Sequence, residues 1–313
     1  MVGRAGSWLY RPVTVLQHDE LRPLMFSIAY RMLGSVAEAE DIVQDAFLRM
    51  YKSELDGTAI DSPDAFATTI TTRLAIDALR SARVRREHYV GQWLPEPLIT
   101  SDDEPARRVE TDETISTAFL VLLETLAPVE RAVFLLREVF GYGYDEIAGI
   151  VEKSESNCRQ ILARAKRAIA ERRPRFEADR QHQAELAKSF LTAANEGNME
   201  ALHQLLADDV VFVGDGGGNA PALEHPVGGP VQVARFFIGL LKQSARVGMR
   251  IEPVEANGQP ALRVFSPRDE VLGVLTFGVA DGQIHTMHSV INPEKLTHLG
   301  QVGDLGALLS QPS

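Results

Sequence analysis

Apolar residues recur at helical spacing in the first part of the chain. Ile42, Val43, Ala46, Phe47 and Met50 follow one another at alternating steps of one and three residues, and mostly polar side chains fill the positions between them. This pattern predicts an amphipathic helix with an acidic outer face. A second run of apolar residues, at four-residue steps after a proline at position 63, predicts a further helix, so we expect helices throughout residues 18–86.

A second helical unit follows a segment that lacks periodicity. Residues 91–108 are rich in proline and acidic side chains, which predicts a linker. Helical patterns then cover residues 112–126, 128–140 and 144–151, and the last helix begins at about residue 154. The final two helices and their tight connection have the dimensions of a helix-turn-helix.

The pattern changes after about residue 181. Two helices are predicted over residues 183–196 and 199–206. Alternating or β-branched segments follow, separated by Asn257-Gly258 and Asp281-Gly282 turns, and they cover residues 210–213, 250–256, 261–265, 271–279 and 284–291. This is an α+β pattern.

The predicted protein is therefore multidomain. We expect a first all-α domain over residues 1–90, a linker over 91–111, a second all-α domain with the helix-turn-helix over 112–178, and an α+β domain over 181–313.

The charge is unevenly distributed along the 313 residues. The net charge of −11 opposes nucleic-acid binding, but residues 73–86 hold five arginines and one aspartate, and residues 153–180 hold nine basic and four acidic side chains. Residues 38–64 hold eight acidic and two basic side chains, and residues 181–313 hold fourteen acidic and eight basic ones. DNA contacts are thus expected from two basic patches and not from the α+β domain.

The location of the protein is predicted from what its sequence lacks. No apolar run reaches the length of a membrane span, and the first fourteen residues lack the apolar core of a signal peptide. The single cysteine, Cys158, excludes an internal disulfide and a cysteine-rich zinc site. We expect a cytoplasmic protein with no membrane partner, no metal and no cofactor.

The last helix of the helix-turn-helix carries side chains suited to DNA. Apolar residues at positions such as Ile147, Val151, Cys158 and Ile161 can form the shared core, and asparagine, glutamine and arginine on the other faces can bind base edges or phosphates. The candidates are Ser156, Asn157, Arg159, Gln160, Arg164, Lys166 and Arg167. On spacing alone, a solvated basic helix is an equally good interpretation.

Two segments carry a family resemblance. Residues 31–51, RMLGSVAEAEDIVQDAFLRMY, resemble the second conserved region of the group IV, or extracytoplasmic-function, RNA polymerase sigma factors, and residues 126–167 resemble their fourth region. The resemblance implies partners, namely core RNA polymerase and promoter DNA. It implies polymerase binding through Glu38, Asp41, Gln44, Asp45 and Leu48. It implies contacts to the minus-ten element through Arg73, Arg80, Arg83, Arg85 and Arg86, and to the minus-thirty-five element through the helix that begins at about residue 154.

Three positions depart from the family pattern. Arg73 stands where most members have asparagine and Phe66 where they have tryptophan, so we expect an unusual minus-ten preference. Glu152 stands in the helix-turn-helix turn, where glycine is common because the backbone there favours a left-handed conformation. We therefore expect either a different turn or local strain.

The C-terminal domain resembles another family. Residues 190–242 resemble the SnoaL-like members of the cystatin-like, NTF2-type fold, in which a curved sheet and helices enclose a cone-shaped pocket. Three motifs, WLPEPL at 93–98, DGGG at 215–218 and NPEKL at 292–296, are typical of the sigma-J type of sigma factor, which carries this extra domain. The resemblance implies regulation in cis and a small-molecule ligand for the pocket. Asn219 stands where the subgroup usually has lysine, so a charge contact from that position is not expected.

The linker motif suggests how such regulation works. A Trp-Leu pair in a solvated linker would expose a large apolar surface, and two prolines favour a defined extended path. We therefore predict that the WLPEPL segment docks near the DGGG loop and the NPEKL segment. The predicted regulatory contacts are Trp93, Leu94, Pro95, Glu96, Pro97, Asp215, Gly216, Gly217, Gly218, Asn292 and Pro293.

An enzymatic function is the alternative for this domain, because related folds use aspartate or histidine in general acid–base catalysis. Asp215, His285 and His288 are the candidates, although the spacing of the two histidines is typical of ordinary sheet residues. Two hypotheses therefore stand: an initiation factor with a regulatory domain, and an enzyme that is only tethered to DNA. The acidic helix favours the first, because a tether needs no polymerase-binding element.

Overall fold

The computed structural model describes residues 15–57, 60–86, 88–100, 115–170 and 179–310, without the side chains of residues 15–19, 83 and 85. The first unit consists of α1 (Val15–Leu33), α2 (Val36–Leu55) and α3 (Pro63–Arg86). Helix α2 begins where the Ser35 side chain accepts a hydrogen bond from the Glu38 amide, a standard N-cap. The predicted helices of this unit are confirmed.

The second unit contains α4 (Thr117–Leu123), α5 (Pro128–Phe134), a π-helical turn (Leu135–Val139), α6 (Tyr144–Val151) and α7 (Glu155–Ala170). Its helices pack directly on the first unit, since α3 contacts both α5 and α6. Buried residues such as Met25, Leu79, Phe119 and Ile147 belong to one continuous hydrophobic core that joins the two units. The two helical units thus form one packed body in this arrangement.

The third unit is the predicted α+β domain. Its helices are α8 (Arg180–Glu196), α9 (Met199–Leu205) and α10 (Pro230–Arg246). Its strands are β1 (Leu206–Asp215), β2 (Val227–Gly228), β3 (Arg250–Ala256), β4 (Gln259–Phe265), β5 (Val271–Ala280) and β6 (Gln283–Val290). They form a sheet in the order β2-β1-β6-β5-β4-β3, in which β1 and β6 are parallel and the other pairs antiparallel.

The chain after the sheet forms short helices. Two 3-10 turns (Pro293–Lys295 and Thr297–Leu299) precede α11 (Leu305–Leu309). Helix α10 and strand β2 were not predicted from the sequence. The glycine loop lies between β1 and β2. Helix α10 follows β2, so the region predicted to be rich in strands also contains a long helix.

Both faces of the sheet are covered. Every residue of β5 is buried, because Leu275 and Phe277 face the core formed with α8 and α10, while Val274 and Thr276 face the opposite side. On that opposite side the Thr276 hydroxyl contacts Thr117 of α4. Alternate residues of a strand therefore serve two interfaces, one within the domain and one with the second helical unit and the linker.

Candidate functional site

The predicted polymerase-binding residues lie on one face of α2. Asp41, Gln44, Asp45 and Leu48 are exposed at helical spacing, and Glu38 is half-buried in the first turn. Leu48 is 57% exposed, and the exposed side chains of Tyr51 and Leu55 continue its apolar strip along the helix. An acidic row beside an apolar strip is a surface suited to a protein partner.

The helix-turn-helix forms between α6 and α7. Ile147, Val151, Cys158 and Ile161 are buried, as the sequence predicted. Glu152, the residue that ends α6, adopts the left-handed conformation with φ of 55°. Of the two alternatives expected from the sequence, a different turn or local strain, this agrees with the second: a glutamate adopts a conformation that favours glycine.

Helix α7 presents the predicted DNA-binding side chains. Six are exposed and Asn157 is half-buried; the exposed ones are Ser156, Arg159, Gln160, Arg164, Lys166 and Arg167. Arg159 pairs with Glu155 at 2.8 Å and Lys166 with Glu138 at 2.7 Å. Solvent-exposed ion pairs of this kind contribute about 0–1 kcal/mol to stability. The Arg159 and Lys166 side chains can therefore exchange a carboxylate for a DNA phosphate at little cost.

The arginines predicted to contact the minus-ten element do not form one open patch. Arg80 is exposed and pairs with Asp77 at 2.8 Å. Arg73 donates from Nε to the Ile150 carbonyl at 2.9 Å and from Nη2 to the Gly149 carbonyl at 2.8 Å. Its guanidinium therefore binds the C-terminal end of α6, where carbonyl groups lack partners within the helix.

Arg86 is also bound within the chain. Its guanidinium contacts the Glu124 carboxylate, donates to the Leu33 carbonyl at 2.7 Å and lies 3.6 Å from the Trp93 ring centroid. DNA contact by Arg73 or Arg86 thus requires the loss of these bonds, and it stays a prediction. The side chains of Arg83 and Arg85 lie outside the described part of the chain.

Asp215 lies at the centre of the contact between the linker and the α+β domain. Its side chain is fully buried and accepts hydrogen bonds from the Tyr89 hydroxyl at 2.5 Å, the Leu94 amide at 2.8 Å and the Lys295 ammonium at 2.7 Å. Lys295 also donates to the Leu94 carbonyl. Burial raises the pKa of Tyr89 and lowers that of Lys295, although Asp215 opposes the second effect.

The glycine loop fits closely against this cluster. Gly217 has φ of +58°, and a Cβ there would lie 2.2 Å from the side-chain nitrogen, Nδ2, of Asn292. That nitrogen donates to the Tyr89 hydroxyl at 2.8 Å, and the Asn292 side-chain oxygen accepts from the Glu294 amide at the start of the Pro293 turn. Gly216 is buried and Gly218 lies beside Val90. The loop needs glycine because both the conformation and the space exclude a side chain.

The other side of the linker binds the first helical unit. The buried Glu96 carboxylate accepts from the Ser35 hydroxyl and the Val36 amide, each at 2.7 Å, and from the Ala37 amide at 3.2 Å. It therefore caps the N-terminus of α2, where free amides favour a negative charge. The Glu96 amide also donates to the Gly34 carbonyl at 2.8 Å.

Trp93 and the two prolines complete the packing of the linker. The Trp93 ring forms cation–π contacts with the Arg86 guanidinium and with the Lys295 ammonium, the latter 4.3 Å from its centroid. A Cβ at Gly34, where φ is +66°, would lie 2.8 Å from the ring. Pro95 and Pro97 are buried. The predicted contact between the WLPEPL segment, the DGGG loop and the NPEKL segment is thus present, and we call the set of bonds made by residues 89–98 the linker dock.

Sequence reasoning missed a side-chain amide at the C-terminal end of the linker dock. Asn257 was predicted only as a turn residue, and its φ of 54° fits that role. Its side chain, however, accepts from the Leu98 amide at 3.1 Å and donates to the Tyr30 hydroxyl at 2.5 Å and to the Ile115 carbonyl at 3.0 Å. Asn257 therefore joins the linker and both helical units, and only the three-dimensional packing reveals it.

The α+β domain encloses a cavity of about 410 Å³. Asp215, His285 and His288 are not among the described residues that line it. Burial lowers the pKa of His288 to about 4, and His285 Nδ1 lies 2.9 Å from Asp209. The candidate catalytic side chains thus do not converge on the cavity, which removes the support for the enzymatic hypothesis.

The described residues contain no group of three or more side chains placed to hold a metal ion, and none of their helices combines the length and apolar character that a membrane span requires.

Comparison with known proteins gave matches to each of the three units. The model of Sigma-70 region 2 matches residues 18–85, that of Sigma-70, region 4 matches 116–169, and that of the SnoaL-like domain matches 187–287. The ECF RNA polymerase sigma factor SigJ of Mycobacterium tuberculosis is 34% identical over 298 residues, covering 90% of this chain and 93% of SigJ. The probable ECF RNA polymerase sigma factor SigI of the same species is 30% identical over 294 residues, covering 90% and 97%. The crystal structure of M. tuberculosis SigJ is similar with a TM-score of 0.73 and 31% identity, covering 91% of this chain and 98% of that one.

Proposed function

The chain belongs to the extracytoplasmic-function RNA polymerase sigma factors, which direct core polymerase to specific promoters, and from that premise we propose that its SnoaL-like domain regulates it in cis through the linker dock. Its relatives are transcription initiation factors and not enzymes.

One observation supports this proposal: the six-residue segment at 93–98 is hydrogen-bonded both to the SnoaL-like domain and to the first helical unit. Leu94 binds Asp215 and Lys295 of the SnoaL-like domain, while Glu96 two residues further on caps α2 of the first helical unit. The carboxylates of Asp215 and Glu96 are both buried, and each has several donors. Buried polar groups with full sets of partners hold one specific geometry, so the SnoaL-like domain can set the position of the linker.

The consequence for promoters follows from geometry. Promoter recognition by two linked units gains strength only when both reach their DNA elements at once. In this arrangement α3 and α6 are joined through Arg73, and Arg86 lies within the linker dock. We propose that the packed arrangement limits promoter engagement, and that changes in the linker dock alter it.

The polymerase and DNA surfaces are assigned on the same premise. We assign core polymerase binding to the α2 face with Asp41 and Asp45, and reading of the minus-thirty-five element to α7 with Arg159 and Gln160. Changing Asp41 and Asp45 to lysine should weaken association with core polymerase at an unchanged melting temperature. Unchanged association in a salt-controlled pull-down would contradict this assignment.

Arg159→Ala or Gln160→Ala should alter base discrimination, typically by about 1–3 kcal/mol per bidentate contact.

Run-off transcription with core polymerase tests the regulatory proposal. We compare the full chain, Trp93→Ala in the full chain, and a chain that ends at residue 180. Both changes should alter transcription from a cognate promoter more than they alter binding to core polymerase. Gln92→Ala, at an exposed linker position next to Trp93, is the matched control and should behave as the unmodified chain. Equal transcription with and without residues 181–313 would contradict regulation in cis.

A further inference from the structure

The cavity of the SnoaL-like domain has a chemically distinct lining. Three phenylalanines, Phe212, Phe236 and Phe237, lie around it together with many aliphatic side chains, and Gln243 and Ser244 contribute polar atoms. None of the described lining residues is charged. We propose that this cavity binds an uncharged, largely apolar organic molecule, and that its occupancy is transmitted to the linker dock. The second part rests on the proposed regulation in cis.

The lining excludes charged ligands on energetic grounds. A charge transferred into an apolar site without a counter-charge or a full set of hydrogen bonds loses its hydration without compensation. The amide of Gln243 and the hydroxyls of Ser244 and Ser289 can orient one or two polar atoms of a ligand, but they cannot neutralise a carboxylate or an ammonium group. Met249 adds a side chain that adapts to the shape of an apolar ligand.

The volume bounds the size of the ligand. Small-molecule sites span roughly 300–1,000 Å³, and an apolar cavity of about 150 Å³ holds a single benzene ring. A cavity of about 410 Å³ therefore has room for a fused or linked pair of rings, or for an aliphatic chain of similar bulk.

The end of the described chain forms one wall of the cavity. Leu305 and Leu309 of α11 line it from one side and Pro221 and Leu223 from another. Helix α11 is only five residues long, and the segment before it is attached to the sheet through backbone bonds between Val271 and residues 301 and 303. A short helix that is attached to the sheet through the segment before it is an element that a ligand can displace without disturbing the sheet.

The two central strands connect the cavity to the linker dock. Gly214 of β1 and Ser289 of β6 are register partners that line the cavity, and Asp215 and Val290 form the next pair on the opposite face. The alternation continues past β6, since Ile291 lines the cavity and the Asn292 amide and side chain bind Asp215 and Tyr89.

Backbone hydrogen bonds connect these residues of the cavity wall to the linker dock. The amides of Ile291 and Asn292 both donate to the Asp215 carbonyl, at 2.8 and 3.0 Å. A ligand that displaces Ile291 therefore displaces the backbone amides that bind the Asp215 carbonyl. Asp215 and Asn292, which both contact the linker, would move with them.

The binding test uses two dyes that differ by one charged group. N-phenyl-1-naphthylamine is uncharged, and 8-anilino-1-naphthalenesulfonate carries the same ring system with a sulfonate. In about 0.5 M NaCl, which screens the net charge of the chain, the full chain should bind the uncharged dye at one saturable site. The sulfonate should bind roughly tenfold more weakly or worse, because its charge would be buried. Absence of saturable binding, or equal affinity for the two dyes, would overturn the ligand class.

Variants of α10 locate the site. Ser244→Phe fills the cavity and should abolish binding of the uncharged dye, while Ala245→Phe, at the exposed neighbouring position, should leave it unchanged. If the melting curve shows that Ser244→Phe does not fold, Leu241→Trp, one turn earlier on the same face, replaces it. Equal dye affinity in a folded cavity variant and in the unmodified chain would place the dye elsewhere and overturn the proposal.

Hydrogen exchange tests the coupling separately from regulation. Saturating uncharged dye should change the exchange rates of the Leu94, Glu96 and Leu98 amides, and Ser244→Phe should remove this effect. Unchanged exchange at these amides would overturn the coupling. Because neither measurement involves transcription, failure of regulation in cis would appear in the run-off experiment alone, with dye binding and exchange intact.

Discussion

The linker dock and the contact between α3 and α6 both join separate units of this chain, but they differ in exposure. In the linker dock, the side chain of Asp215 is fully buried and Glu96 is 8% exposed as a residue. In the α3–α6 contact, the side chain of Arg73 is 44% exposed and that of Glu152, its partner at 3.2 Å, is 75% exposed. Buried polar contacts are strong and specific because water cannot replace the lost partner, whereas exposed ones exchange readily with water, salt or a ligand.

This difference indicates where the molecule opens. Removal of one partner of a buried charge pair costs about 3–5 kcal/mol, whereas an exposed ion pair contributes about 0–1 kcal/mol. The polar bonds between α3 and α6 are therefore expected to break more readily than those of the linker dock, and the hydrophobic core shared by the two helical units must open as well before these units separate. Movement between the promoter-reading units would then start at the α3–α6 contact while the linker stays bound to the SnoaL-like domain. The following predictions test this ranking of the two contacts.

The largest effect is expected at Asp215. Asp215→Ala leaves the buried Lys295 ammonium, the Tyr89 hydroxyl and the Leu94 amide without their acceptor. We expect the free energy of unfolding to fall by about 3–5 kcal/mol in chemical denaturation.

Asp209→Ala is the matched control on the same strand. The side chain of Asp209 is 79% exposed and pairs with His285, so its loss should cost less than about 1 kcal/mol. Similar losses for the two variants would contradict the ranking of buried over exposed contacts.

The second prediction concerns pH. His288 lies in register with Thr276, whose hydroxyl contacts α4, and burial lowers its pKa from 6.5 to about 4. Because the folded state binds the proton less tightly, stability is full above pH 6.5 and falls as the pH drops towards 4. A shift of this size corresponds to about 3 kcal/mol.

His288→Gln should remove this part of the pH dependence between pH 6.5 and 4. Carboxylates titrate in the same window, so the measured quantity is the difference between the two denaturation profiles. Parallel profiles for the variant and the unmodified chain would show that His288 is not the titrating group.

Sequence patterns predicted the parts of this molecule that are repetitive or local. The helices of the first unit and the helix-turn-helix core around Cys158 depend on spacing. At Glu152 the sequence left two alternatives, a different turn or local strain, and the left-handed backbone agrees with the second. The contact between the WLPEPL and DGGG segments was predicted because an apolar Trp-Leu pair needs a partner. Helix α10 was not predicted, although Gly229-Pro230 is a readable start signal followed by apolar residues at helical spacing.

Other contacts could not be predicted, because they depend on how distant units pack. Tyr30 and Asn257 are 227 positions apart and bond only because the linker places α1 beside the β3–β4 turn. Arg86 belongs to a basic run that suggests DNA binding, but Glu124 and Trp93 surround its guanidinium in the fold. A single sequence contains no signal that separates Arg86 from its basic neighbours.

The third prediction addresses the exposed contact directly. Arg73→Ala removes two hydrogen bonds to carbonyls at the end of α6, and because the guanidinium is half-exposed we expect a loss of only about 1 kcal/mol. The distance between labels on α3 and α7 should increase or broaden in electron paramagnetic resonance. Arg80→Ala, on the same helix, should leave the distance unchanged. An unchanged distribution in Arg73→Ala would contradict the idea that this contact holds the two units together.

The smallest effect is expected at Glu152, where two contributions oppose each other. Its left-handed conformation costs about 1 kcal/mol relative to glycine, while its exposed pair with Arg73 contributes about 0–1 kcal/mol. Glu152→Gln keeps the conformational cost and removes the charge, so it should destabilise by a few tenths of a kcal/mol at low salt and by less at high salt. Glu152→Gly removes both and should be neutral or more stable by up to about 1 kcal/mol. The difference in stability between the two variants measures the strain of the turn, and the salt dependence that both variants lose relative to the unmodified chain measures the ion pair. A Glu152→Gly chain that is less stable than Glu152→Gln would contradict backbone strain at this turn, and a loss of much more than about 1 kcal/mol in Glu152→Gln would show that the α3–α6 contact is stronger than its exposure indicates.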